Sequence, residues 1–204
     1  MANEVVRTAK IVSEETFRSH VWPAIRPFFG QNARLVLLGD LERCGGKIQM
    51  WALALDRQCC IDGFFYADDR PPEPIGFRVQ YVDDGDPQYD TFTLSVGDDR
   101  HDRELDIYRR QIATHGLAPY IIIHAYVDVV ERRLVHCVWA PMIVLVHLCT
   151  NDYIRSHTKE NRRKRRPFIY VPYRDVEEFI AVRVKDDAVQ SWLHQRCGRY
   201  SAGS

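Results

Sequence analysis

One carboxylate stands out among the residues equipped for chemistry. Asp62 lies in Cys59-Cys60-Ile61-Asp62-Gly63-Phe64-Phe65-Tyr66, an apolar, aromatic-rich stretch with the character of a strand. A carboxylate in such surroundings is costly unless it is ion-paired, hydrogen-bonded or bound to a metal. Beside a second acid it could hold a divalent cation and lower the pKa of a cation-bound water. The candidates for that second acid are Glu104, on a helix further along the chain, and Glu42, on the segment before it. Glu104 and Tyr108 are four residues apart and share a helical face. Arg78, on the strand expected to follow Asp62, could pair with it across a hairpin and leave no chemistry at all, or bind a phosphate bidentately.

A second constellation offers electrostatics. The segment from Arg155 to Arg166 closes on five consecutive cations, Arg162, Arg163, Lys164, Arg165 and Arg166, directly before Pro167 and Phe168. Such a run holds a phosphate backbone through salt-sensitive, sequence-blind contacts. The same pattern also fits a solvated loop, a docking segment for a protein partner or a nuclear-localisation signal. The flanking Tyr153, Phe168 and Tyr170 belong to the residue types that stack on bases or fill cores.

The remaining reactive residues carry less. The six cysteines form no CxxC pair, and His115, His124, His136 and His147 show no metal-ligand spacing. His124 reads as a hydrogen-bonded strand histidine. No P-loop, Gly-x-Ser-x-Gly elbow or dinucleotide fingerprint occurs. The 28 basic residues balance 28 acidic ones, so any pull on nucleic acid has to come from a local patch. The first residues lack a signal peptide's apolar core. The longest apolar run, Val138 to Val146, is too short to span a bilayer and is broken by Pro141. A soluble intracellular protein, cytoplasmic or nuclear and without a membrane partner, is the expectation.

Elements that position these residues follow from pattern. Ser13 reads as the N-cap of a helix carrying Phe17, Val21 and Ile25, ending near Pro27 or Gly30 with a kink at Pro23. Residues 34–43 read as a short helix, and Ile48 to Leu55 and Cys60 to Ala67 as strands. Ile75 to Val82 alternates as a hairpin partner should, and Tyr89 to Val96 is a further strand. A helix capped within residues 98–102 runs to Gly116 with Leu105, Tyr108 and Ile112 as its apolar stripe. Strands at 119–128 and 134–139, a helix from Pro141 to about Thr150, a strand at 168–171 and a helix at 174–180 complete the set. The whole predicts one α/β (or α+β) domain over residues 1–200, a mixed central sheet flanked by helices, with residues 201–204 a disordered tail.

From residue 34 the expected order is helix, strand, strand, strand, helix, strand, with the strand near Tyr89 as an insertion. This order, together with Asp62, resembles the α-β-β-β-α-β core of the PD-(D/E)XK nuclease superfamily, the restriction-endonuclease-like fold. The resemblance covers about half the chain and implies that Asp62 is the metal-binding acid of the second strand. Arg78-Val79-Gln80 then stands where the family has its (D/E)-x-K tripeptide, with Gln80 at the lysine and Arg78 in place of the second acid. It implies Mg²⁺ or Mn²⁺ held by Asp62 and Glu104 (or Glu42), with Arg78 or Gln80 orienting water or phosphate. Arg162 to Arg166 would hold the DNA or RNA backbone. The function expected is metal-dependent phosphodiester hydrolysis. The alternative is a non-catalytic subunit that binds nucleic acid or a protein partner through residues 155–166.

Overall fold

A computed structural model describes residues 10–67, 71–82, 90–95, 104–128, 130–161 and 166–202. Helix α1 (residues 10–16) runs through a π-helical turn, Phe17–Val21, into α2 (Trp22–Phe29). Pro23 has no N–H to donate one turn back, and the helix widens directly ahead of it. Helix is already present at residue 10, so Ser13 is not its N-cap. There follow β1 (Arg34–Leu37), α3 (Leu38–Glu42), α4 (Gly46–Cys59), β2 (Gly63–Tyr66), β3 (Glu73–Val82) and β4 (Thr91–Ser95). After them come α5 (Glu104–Ala113), β5 (Ile121–Asp128), β6 (Leu134–Pro141), α6 (Met142–Leu148) and α7 (Asn151–His157). The chain closes with β7 (Thr158–Asn161), β8 (Arg166–Pro172), α8 (Tyr173–Arg183), α9 (Asp187–His194) and β9 (Gly198–Ser201).

The mixed sheet flanked by helices is present. Six strands lie in the order β1-β2-β3-β5-β6-β9, antiparallel throughout except for β3 and β5. That parallel pair needs a crossover, which α5 supplies. One face of the sheet packs Phe65, Ile75, Ile121, Ile123 and Trp139 against Phe17, Val21, Ile25 and Phe29 of the N-terminal helix. The other face packs Ile122, Val138 and Ala140 against α5, α6, α8 and a second sheet of order β4-β8-β7. Burial of β5 on both faces explains its near-continuous apolar sequence.

Three elements differ from the sequence expectation. Residues 34–43 split into β1 and α3, because Arg34–Leu37 finds a partner in Tyr66–Gly63. Ile48 to Leu55 is helical within α4: Ala, Leu, Met and Gln favour helix, and Ala52 and Leu55 bury one face against Leu38 and Ile61. The strand near Tyr89, β4, belongs to the second sheet. Helix α9 and strand β9 were not expected, and Ser201 ends β9 rather than opening a tail.

Close approach at Gly63 fixes how β2 begins. A Cβ there would stand 2.7 Å from the Val36 carbonyl oxygen, a main-chain atom of the paired strand. Gly63→Ala is therefore expected to lower unfolding free energy by about 1–3 kcal/mol in urea titration, and to shift Asp62, its neighbour in sequence.

Candidate functional site

Asp62 sits one residue ahead of β2, not inside the strand. Its N–H donates to Ile75 O (2.8 Å), and its carbonyl accepts from Leu38 N–H (2.9 Å). The paired register of β2 and β3 ends at Gly63↔Ile75. Beyond it the Asp62 carboxylate takes over the Phe77 N–H at 2.7 Å. The carboxylate thus substitutes for a strand residue.

Arg78 lies two residues beyond Gly76 and so shares its face, towards α5. Its Nη1 donates to the carbonyl and hydroxyl of Thr93 (2.9 and 2.7 Å), and its Nη2 to Glu104 Oε2 (2.8 Å). The same Glu104 oxygen accepts from the N–H and hydroxyl of Ser95 at 2.9 and 3.0 Å. Arg78 pairs with Glu104 rather than with Asp62. Insertion of β4 makes this possible, since Thr93 and Ser95 lie between the strand that carries the cation and the helix that carries the acid.

Burial and charge shift the neighbouring groups. Burial pushes the Asp62 carboxyl up to about 7, aided by the charges of Asp56 and Glu104 and opposed by the Phe77 N–H. Burial likewise raises the Cys60 thiol to about 12 and holds Tyr108 well above its ordinary value, with Glu104 and Asp62 adding to both. His124 stands in register with Arg78 and is 2% exposed. Burial and the Arg78 charge hold it well below its ordinary pKa, so its ring is neutral. It bonds the Thr91 main chain, and its Nδ1 has no partner among the described residues.

The structure therefore brings Asp62, Arg78 and Glu104 to one place. Gln80 is half-buried two residues further along the same face, opposite Tyr126. Glu42 goes elsewhere: Lys10 Nζ lies 2.6 Å from its carboxylate and 2.8 Å from that of Asp56. Among the described residues no group of three or more His, Cys, Asp or Glu is arranged to hold a metal ion. Asp62 and Glu104 could contribute two carboxylates to one. Arg162, Arg163, Lys164 and Arg165 lie outside the described residues, and Arg166 opens β8.

Thr93 and Ser95 complete the site and were not singled out by sequence; His124 lies in β5 and bonds the Thr91 main chain, as its reading as a hydrogen-bonded strand histidine expected. Comparison with protein-family models, curated proteins and solved structures returned no match.

A half-ionised Asp62 can take or give a proton near neutrality, and the part-exposed Arg78 can meet an anion. The shift also carries a stability signature. The folded state holds the Asp62 proton up to about pH 7, whereas the unfolded chain releases it near 3.8. Folding therefore favours protonation, and this residue's contribution to stability falls as pH rises from about 4 to 7. At about 1.4 kcal/mol per pKa unit the loss approaches roughly 4 kcal/mol. Asp62→Asn, which still accepts from Phe77, is expected to flatten the fall in unfolding free energy between pH 4.5 and 7.5. A slope unchanged from wild type in urea titrations at the two pH values rejects this assignment.

Proposed function

We propose that this chain is a nucleic-acid-binding protein built on a nuclease-like sheet whose catalytic centre has become an ion-pair network. The observation that carries this reading is the pairing of Arg78 with Glu104 beside Asp62. Three residues of a nuclease-type constellation converge, but the cation binds the second carboxylate directly. Glu104 Oε2 already accepts three hydrogen bonds. The antiparallel run β1-β2-β3 with a crossover through α5 to the parallel β5 supports a resemblance to the PD-(D/E)XK superfamily. Helices α3 and α4 nevertheless intervene between β1 and β2, β4 precedes α5, and the helix and first strand expected at 34–43 and 48–55 are not those of the core.

The sequence of the basic run supports the binding half. The strands on either side of it, β7 and β8, pair antiparallel. There Lys159 lies over the Tyr170 ring at 4.4 Å, and Tyr153 and His157 stack at 3.8 Å. Consecutive cations in the sequence between elements that carry aromatic rings suit a phosphate backbone.

A second reading, metal-dependent phosphodiester hydrolysis, is favoured by the two carboxylates, Asp62 and Glu104, whose charges act on each other. Mg²⁺ or Mn²⁺ at Asp62 and Glu104 would compete with the Asp62 proton and with Arg78, so activity would rise with pH through about 7.

Labelled single- and double-stranded DNA and RNA, incubated with Mg²⁺ or Mn²⁺, separate the two readings. Salt-sensitive binding without cleavage is expected. Replacing Arg162, Arg163, Lys164 and Arg165 by glutamine should lower the salt slope on duplex DNA by up to about 3–4. Metal-dependent cleavage lost in a folded Asp62→Asn variant establishes the enzyme instead. Absence of both activities overturns the nucleic-acid assignment.

A further inference from the structure

We propose that the outer face of the second sheet binds a single-stranded nucleic acid, with one base stacked on Phe168 and the next on Tyr170. The proposal rests on the nucleic-acid reading above and specifies the form of its ligand. Side chains alternate between the two faces of a strand. In this sheet Phe92, Leu94, Ile169 and Val171 share one face, are fully buried and pack into the core against the six-stranded sheet. The pairs Thr93↔Tyr170, Ser95↔Phe168 and Lys159↔Phe168 occupy the opposite face. Lys159, Phe168 and Ser95 thus form one row across all three strands, with Tyr170 and Thr93 beside them.

Core packing does not account for the two aromatic residues on that face. Both are half-buried, and neither belongs to a hydrophobic core cluster of the described residues. Phe168 stacks on no other ring among those residues. Tyr170 is held by its neighbours: His157, itself stacked on Tyr153 at 3.8 Å, stands 5.1 Å away, and Lys159 Nζ lies 4.4 Å from the ring centroid. Phe168 and Tyr170 are two residues apart on the central strand, about 7 Å along it. Sheets that bind unpaired RNA present aromatic rings in this way, one base to each ring.

Charge on this face suits a polyanion. Lys159 is exposed and, among the described residues, pairs with no carboxylate. Its neighbour Glu160 falls on the other face, opposite Pro167. Lys159 starts opposite Phe168 and reaches over Tyr170, so its side chain spans both rings and can meet the phosphate that links their bases. At the β4 edge Ser95 bonds Glu104, whose charge Arg78 already answers. Arg162 to Arg165 follow β7 directly in sequence and add to the positive charge. A duplex keeps its base faces stacked on one another, so a ring on a sheet can take only an unpaired base.

Fluorescence anisotropy of the full chain with labelled oligouridine, oligothymidine and a DNA duplex of equal length, over a salt series, tests the proposal. Single strands are expected to bind about tenfold tighter than the duplex. Phe168→Leu, which keeps an apolar side chain, should weaken single-strand binding about tenfold, the scale of one lost base stack, and leave the salt slope unchanged. Phe168→Trp should restore the affinity, and its indole emission should be quenched on binding. Lys159→Gln should lower the single-strand salt slope by about 0.7, one phosphate contact. Equal single-strand affinity in wild type and Phe168→Leu overturns the stacking surface, as does failure of Phe168→Trp to restore what Phe168→Leu loses. A duplex that binds as tightly as the single strands overturns it too. If the binding in those cases is salt-sensitive, the nucleic-acid reading still stands. Absence of binding to every oligonucleotide overturns both.

Discussion

The contact between Arg78 and Glu104 ties together elements that the sheet alone would leave apart. Arg78 belongs to the six-stranded sheet, Glu104 opens the crossover helix, and Thr93 and Ser95 belong to the second sheet. A part-buried guanidinium leaves several N–H donors to satisfy, and those donors here reach a carboxylate, a carbonyl and a hydroxyl from two elements. Removing one partner from such a network costs more than the pair contributes, since the other charge remains unsatisfied. The parallel pairing of β3 with β5, the start of α5 and the docking of β4 are thus coupled at one point. Whatever chemistry Asp62 has depends on it as well, because the Glu104 charge is among those that hold the Asp62 proton.

Asp62 itself shows why a carboxylate sits in an apolar segment. The main chain leaves helix α4 at Cys60, whose φ of 52° is left-handed, and the side chain of Asp62 then accepts the Phe77 N–H. The carboxylate is spent partly on the ladder and partly on a proton. A structural role and a raised pKa coexist here because one hydrogen bond does not offset the burial of a full charge.

Much of this was legible in sequence, and the failures have physical reasons. Period-two alternation gave β3, the apolar run gave β5, and acid spacing on α5 singled out Glu104. Asp62, Arg78 and Glu104 were all named from residue type and predicted element alone. The apolar stretch at Ile48 to Leu55 misled because a short run of that kind has no decisive period. Its Ala and Leu content, and burial of Ala52 and Leu55 against Leu38 and Ile61, settle it as helix. Partner choice was beyond sequence. Whether Arg78 meets Asp62 or Glu104 depends on how β4 and α5 dock, since Thr93 bonds Arg78 and Ser95 bonds Glu104.

Packing also limits which side chains β3 can present near Asp62. A Cβ added at Gly76 would meet Ile122 Cδ1 at 3.0 Å and the Cys60 carbonyl oxygen at 3.3 Å. An acid at that position is therefore opposed by packing on one side and by a carbonyl dipole on the other. Glu104 reaches the site from α5 instead, and it brings Arg78 with it as its counter-charge. A divalent cation entering this arrangement must displace both that guanidinium and the proton on Asp62. Two competing positive charges thus stand in such a cation's way.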